Sequence, residues 1–417
     1  MGRSKPSSLP SLAVAVLSLL ISIHIAISFN PISYFTDRIA KDERVIFFPT
    51  MASEVVPLRS NNGVGNDSSA INVQAHRPWN VSIHGWIFEP EETSLKRALF
   101  ISIIMRTLKI PKTEMNDTTN SSPAFFLRNR ARAFVVDNQS LKRVHIDIGG
   151  TVYRLPRSRK NGHFRATLQL TESELRLAAN SGDGLEHLVP YTAKTNNGDR
   201  DNRIFQGFIH VVPSTGVSVI SDIDDTIKVT DVYKGKKSLL EKTFLQAFQP
   251  VPGMAEMYQK WYQADPGRTR FHFVSSSVFQ LYEDLEDFRQ QHNFPPATFH
   301  LKTIRPTKLR KTLKLLTANP LATKRGHIES IISRFPHRKF VLVGDSGEKD
   351  PEVYANIAKD YPAQVKAILI RNVSGDTSML RFQELTSSSL SDTNNITCRY
   401  FDDPTELTEY NHFFDVK

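Results

Sequence analysis

The chain has 417 residues, a formal net charge of +10 and 40% apolar residues, enough for two or three domains with buried cores. Its single cysteine, Cys398, excludes an intrachain disulfide framework and a cysteine-based metal centre. The basic balance favours anionic partners, but the chain carries no Arg/Gly tract, zinc-finger spacing or aromatic-basic RNA motif, so nucleic acid is not expected among them.

At the start, Arg3 and Lys5 precede the apolar run "LPSLAVAVLSLLISIHIAISF" at 9–29, long enough to cross a bilayer as a helix. Residues 1–29 read as a signal peptide or an uncleaved signal anchor. Basic residues before the run and the charge-balanced "DRIAKDER" after it put the bulk of the chain in the lumen or outside, membrane-anchored or secreted. The sequons at Asn66, Asn80, Asn116, Asn120, Asn138, Asn372 and Asn395 agree with passage through the secretory pathway as a glycoprotein.

Residues 30–74, with "RSNNGVGNDSSA", read as a linker. From 75 to 213 the apolar period is two: Val81, Ile83 and Ile87 in one run, Gly149-Gly150 between two alternating runs, and Asn161-Gly162 before Phe164, Ala166, Leu168 and Leu170. This predicts a mainly antiparallel β-domain with tight hairpins, with "MNDTTNSSP" as a polar loop. From 214 to 378 short apolar runs ("VSVI", "FHFV", "KFVLV", "VKAILI") alternate with helical faces such as Ile328, Ile331, Ile332 and Phe335, the pattern of a parallel α/β sheet. Residues 379–417 read as a surface tail with a final helix.

Polar clusters stand where the buried strands end: "DIDDT" (222–226), "VSSS" (274–277), "TKRGHI" (323–328) and "GDSGEKD" (344–350). Such strand ends are where open α/β sheets place their sites. Two carboxylates two residues apart suit attack on phosphorus and proton transfer. A hydroxyl suits a phosphate oxygen, a lysine supplies a point charge, and the last carboxylates complete an oxygen-only site that fits Mg²⁺ better than zinc.

The order of these clusters resembles the haloacid dehalogenase superfamily of aspartyl-phosphate phosphatases. The longer stretches "GVSVISDIDDTIKVTDV", "FHFVSSS" and "RGHIESIISRFPHRKFVLVGDSGEKDPEVY", with the upstream "NGHF" β-region, are similar to the fungal actin-patch-associated phosphatidate phosphatase family over about 130–375. The resemblance implies a Rossmann-like catalytic sheet with a small cap and hydrolysis of phosphatidate to diacylglycerol and phosphate. It implies Asp222 as nucleophile, Asp224 as general acid and base, Thr226 holding the loop, Ser275 on a phosphoryl oxygen and Lys324 as countercharge. Mg²⁺ would be held by Asp222, the Asp224 carbonyl, Asp345 and Asp350.

Blander roles compete at several positions. Asp225 reads as a bystander, Ser277 as a helix cap, Asp350 as a cap before Pro351, and Lys302 or Lys308 as substitutes for Lys324. The acid-free basic stretch 301–326 reads as a solvated helix face or as a lid for an anionic membrane surface. Two other functions stay open: a phosphatase of a soluble phosphate ester, and a membrane-tethered binding module without catalysis. The resemblance implies cytosol-facing membranes near actin, whereas the N-terminal segment and sequons point to the lumen, so actin-patch partners do not carry over, and the sequence shows no Pro-rich SH3 ligand.

Overall fold

The computed structural model describes residues 37–55, 78–91, 95–117, 119–180, 187–195, 201–304, 321–373, 382 and 396–414. The apolar run 9–29, residues 30–36 and 56–74 of the stretch read as a linker, Asn66, Asn395, Lys308 and residues 305–320 of the basic stretch lie outside them, whereas Arg44–Phe48 and Thr50–Glu54, read as linker, are two strands of the first sheet. Among the described residues no helix is long and apolar enough to cross a membrane.

The first half builds a nine-stranded sheet. In chain order come β1 Arg44–Phe48, β2 Thr50–Glu54, β3 Pro78–Pro90, α1 Leu95–Leu108, α2 Pro123–Phe134, β4 Val136–Asn138, β5 His145–Ile148, β6 Thr151–Arg154, β7 His163–Thr171, α3 Glu172–Ala179, β8 Leu188–Lys194 and β9 Ile204–Val212. Pairing is antiparallel except between β2 and β9. The long β3 is the hub, paired with β1, β2, β4 and β7. Val81, Ile83 and Ile87 bury on one face as their alternation predicts. Gly85 shares that face, and a Cβ there would lie 2.2 Å from the Phe164 ring, so the missing side chain makes room for the aromatic opposite. The Gly149-Gly150 turn joins β5 to β6 with Ile148 opposite Thr151, both glycines at positive φ as a two-residue hairpin requires.

The β-reading of 75–213 missed three helices, α1, α2 and the short α3. Along α1, Phe100, Ile104 and Leu108 bury at four-residue spacing. The polar loop before α2 is present, and it ends in Ser122, whose hydroxyl caps the helix by accepting from the Phe125 N–H with Pro123 in the first turn.

The second half builds a six-stranded, all-parallel sheet from β10 Val217–Ser221, α4 Lys236–Phe244, α5 Met254–Ala264, β11 Arg270–Val278, α6 Tyr282–Gln291, β12 Ala297–Lys302, α7 Leu321–Ile332, β13 Lys339–Asp345, α8 Asp350–Asp360, β14 Val365–Arg371 and β15 Thr397–Phe401. The strand order is β12-β11-β10-β13-β14-β15. Helices α5 and α6 pack on one face against Val219, Phe271, Phe273 and Val341, and α7 and α8 on the other against Ile220, Val274, Leu342 and Ile368. Burial on both faces explains why these strands are continuous apolar runs. The chain leaves β10 towards β11 on one side and returns to β13 on the other. The crevice beyond the carboxyl ends of β10 and β13 is therefore the topological switch point.

Residues 396–414 are more than a surface tail. β15 pairs with β14, and the 3-10 helix Pro404–Phe413 buries Leu407, with Phe414 stacked on Trp261 of α5 at 4.8 Å between ring centroids.

The short loop after β10 closes on a small ladder. The Val229 N–H donates to the Gln249 carbonyl and the Val251 N–H to the Ile227 carbonyl, pairing Lys228 with Pro250. Residues 230–248, with α4, form an excursion above the switch point. Their apolar side does not face solvent, because Leu240 and Phe244 join Phe100, Leu127 and Phe134 of α1 and α2 in one cluster.

Candidate active site

Every described cluster predicted from sequence reaches the switch point. The Asp222 N–H extends the β10–β13 ladder by donating to the Val343 carbonyl, which aims its side chain out of the strand end. Its carboxylate is 1% exposed and lies 2.7 Å from Lys324 Nζ through Oδ1, yet neither oxygen accepts a hydrogen bond. Burial pushes this carboxyl well above the usual range, opposed by Lys324 and reinforced by Asp350, Glu348 and Asp345.

Asp224 faces donors on both oxygens. Oδ1 takes Thr230 Oγ1 at 2.7 Å and the Lys228 ammonium at 2.7 Å. Oδ2 takes Ser275 Oγ at 3.2 Å and Ser277 Oγ at 3.1 Å. Burial alone would raise this carboxyl, but Lys228 and the hydroxyls outweigh it and hold the group below the usual carboxylate range. The serines reach Asp224 because β11 has a register irregularity between Val274 and Val278. Ser277 caps no helix: the following 3-10 turn has Val278 at its cap with no side-chain bond.

Asp225 organises the loop. Its backbone is left-handed at φ 59, and its carboxylate accepts the N–H groups of Thr230, Asp231 and Val232. Arg371 at the end of β14 donates to its carbonyl at 2.8 Å. The Thr226 hydroxyl, expected to hold the loop, is buried without a hydrogen-bond partner. The loop is instead closed by the Ile227 and Lys228 N–H groups on the Ile223 carbonyl.

From β13, Asp345 Oδ1 accepts the Gly347 and Glu348 N–H groups at 2.7 and 3.0 Å. This tight turn brings Glu348 back over the strand end. One oxygen each of Asp222, Asp345 and Glu348 lie within 4.8 Å of one another. Burial raises Asp345 well above the usual range, with Asp350 and Glu348 adding to it, and pushes Glu348 up to about 7, against Lys324. Asp350 stands apart from this trio. Oδ1 pairs with the Lys324 ammonium, and Oδ2 accepts the Asp345 N–H at 3.2 Å. Its carboxylate does not cap α8. It fits under the strand end because residue 344 is glycine; a Cβ there would lie 2.4 Å from Asp350 Oδ2. Lys324, from the first turn of α7, thus bridges Asp222 and Asp350. At Lys302, the end of β12, burial lowers the ammonium against the pull of Glu348.

The donor set fits a hard divalent cation. Three carboxylates converge, all donors are oxygen, and both Asp222 oxygens and Asp345 Oδ2 accept no hydrogen bond. Sequence reasoning missed Glu348, which sits between two residues it did single out. It also missed Lys228, whose signal was its i,i+4 spacing from Asp224, and Thr230.

Residues 217–372 match the family model described as phosphatidate phosphatase APP1, catalytic domain. Over this stretch the chain is similar to that catalytic domain. Every site residue above lies inside it. The chain is 36% identical over 165 residues to phosphatidate phosphatase APP1 of Saccharomyces cerevisiae, covering 39% of this chain and 27% of that protein. It is 29% identical over 222 residues to an uncharacterised protein of Schizosaccharomyces pombe, covering 49% of this chain and 36% of that one. The chain therefore spans about a third or less of the length of these relatives. A minor pilin variant, PilB of Streptococcus sanguinis, aligns at 10% identity and a TM-score of 0.26 over 66% of this chain and 86% of its own, too low to bear on fold or function. The APP1-like match stops well short of α1 and α2, which pack on the excursion above the site.

Proposed function

We propose that this chain is a Mg²⁺-dependent phosphomonoesterase of the aspartyl-phosphate type acting on phosphatidate. The observation that carries the reading is Asp222: a buried carboxylate that accepts no hydrogen bond, beside a buried lysine, within 4.8 Å of two further acids. A carboxylate left this bare at a strand end is poised to attack.

Asp222 attacks phosphorus in line, forming an acyl phosphate as the ester oxygen leaves. Asp224 gives that oxygen its proton, then takes one from the water that hydrolyses the intermediate. In the free chain Lys228 favours the ionised form of Asp224, and an arriving phosphate dianion reverses that preference by like-charge repulsion. Lys324 offsets the charge of Asp222 and of the phosphoryl oxygens. Ser275 is within reach of both Asp224 and an incoming phosphoryl oxygen. Asp222, Asp345 and Glu348 would hold Mg²⁺, with the Asp224 carbonyl, and the cation would offset phosphoryl charge when bound. Asp350 is assigned to Lys324 rather than to the metal.

The rim favours a lipid ester over a soluble one. Residues 233–237, "YKGKK", are exposed, and a Cβ on Gly347 of the site's own turn would lie 2.9 Å from Tyr233 Cβ. An aromatic among lysines suits an anionic bilayer surface.

The test is release of phosphate from phosphatidate in mixed micelles, beside a panel of soluble monoesters. Asp222→Asn is expected to lose at least about a thousandfold in kcat. Chelation by EDTA should abolish turnover, and Mg²⁺ should restore it. Full turnover by Asp222→Asn ends the mechanism; preference for a soluble ester ends the lipid assignment.

A further inference from the structure

Lys228 and Phe248 meet across the small ladder that closes the excursion. Lys228 Nζ lies 4.7 Å from the Phe248 ring centroid while pairing with Asp224 Oδ1 at 2.7 Å. Lys228 is 2% exposed. Its ammonium also donates to Thr230 Oγ1 at 2.5 Å, so a carboxylate, a hydroxyl and one aromatic face together set its position.

A second cation addresses the same ring. Arg130 Cζ of α2 lies 4.0 Å from the Phe248 centroid. Arg130 is itself buried, and one of its nitrogens, Nη1, donates to the Thr243 and Gln246 carbonyls at 2.7 Å each. Thr243 lies in the last turn of α4, whose carbonyls a helix leaves unsatisfied, and Gln246 just past its cap. Arg130 Nε reaches Asp284 of α6 at 3.3 Å. One guanidinium from the N-terminal half thus fixes the end of α4, the ring that follows it and α6.

We infer that Phe248 and Arg130 are positioning residues for Asp224: the ring seats Lys228, Lys228 holds Asp224 Oδ1, and Arg130 holds the ring. The inference rests on the proposed function for its catalytic consequence. It assigns part of the active-site geometry to a side chain outside the APP1-like segment, which begins at residue 217.

The test uses the full chain with phosphatidate in mixed micelles and saturating Mg²⁺. Phe248→Leu keeps apolar bulk and removes the aromatic face. It is expected to lower kcat about tenfold, the size of a desolvated cation–π contact, with KM within about twofold of the parent. Phe248→Tyr keeps the face and should restore kcat. In a Lys228→Met background, Phe248→Leu should have no further effect on kcat, because the ring then has nothing to seat. Arg130→Met should show the same kcat loss, partly recovered by Arg130→Lys. The inference is overturned if the Phe248 and Lys228 losses multiply independently, or if folded Phe248→Leu keeps full kcat while melting earlier. If the parent chain turns over no phosphate ester, the proposed function fails on its own. The relay is then decided by urea-unfolding cycles on Phe248 and Lys228, where non-additivity supports the seat and additivity removes it.

Discussion

Glu348 lies three residues beyond Asp345, and its carboxylate joins Asp222 and Asp345 because the intervening turn folds back on the Asp345 side chain. A third carboxylate placed this way is held close to its neighbours at the cost of like-charge repulsion, which a divalent cation offsets. Glu348→Gln should therefore raise the Mg²⁺ concentration for half-maximal activity about tenfold or more, with smaller change at saturation; a metal titration of phosphate release checks this, and an unchanged midpoint removes Glu348 from the set. The choice between Glu348 and Asp350 was not legible in the letters "GDSGEKD". Both are acids near a strand end. What separates them is a turn whose path is set by two N–H groups on Asp345, and a glycine at 344 that lets Asp350 slip beneath. Asp222 and Asp224 were legible because crowded acids at the end of a buried apolar run are costly unless a cation or a phosphate offsets them, whereas Lys324 was singled out from Lys302 and Lys308 only by the family resemblance.

At the scale of elements, the strands of the parallel sheet could be read from their apolar runs, and β12 and β15 could not. "ATFHLK" and "TCRYF" are edge strands, half polar, and their sequence carries less of the signal. The helices α1 and α2 were hidden for another reason. They interrupt a region whose flanks alternate with period two, and their four-residue spacing has meaning only once a partner is known. That partner is α4: Phe100 stacks on Phe134 at 5.5 Å between centroids, and Phe244 meets Phe134 at 5.4 Å and Phe100 at 6.0 Å. Emptying this trio removes a contact between the two halves as well as apolar area. Phe134→Ala should cost about 3–5 kcal/mol, read as a lowered urea midpoint with the denaturant slope unchanged. A near-neutral result would mean that α1 and α2 are only loosely seated on the excursion.

At the scale of the whole molecule, the seam between the sheets is lined with histidines. His84 and His163 share a hydrogen bond of 3.0 Å beside Phe48 and Phe279, and Arg334 of the second half donates to Ser82 of β3 at 2.7 Å. Burial lowers His163 to about 4, with Arg165 adding to it, and lowers His300 to about 3. A histidine whose folded pKa is depressed is neutral in the native state, while the unfolded chain binds a proton below about 6.5. Its contribution is fully present above that value. It is lost as pH falls from about 6.5 towards 4 for His163 and 3 for His300. Glu89, pushed up to about 7 by burial with Asp42 and Asp137 nearby, works in the opposite sense between about 7 and its unfolded value. The informative comparison is therefore between variants. His163→Gln should flatten the fall in melting temperature between pH 7 and 5 relative to the parent, and parallel curves would show that His163 does not titrate across unfolding.

The pairing of β15 with β14 has a consequence for how the chain is made. The sheet that carries the candidate site lacks its outer strand, and Trp261 lacks Phe414, until residues 397–414 have left the ribosome. By then synthesis has run about 280 residues past α2, from its end at Phe134 to Phe414, at translation rates of about 5–20 residues per second. Helices α1 and α2 must wait, with Phe100 and Phe134 lacking Phe244, for α4 from the nascent later half. The first sheet has a core of its own, so the delay falls on α1 and α2, and chaperone dependence should be highest while ribosomes are between α2 and α4.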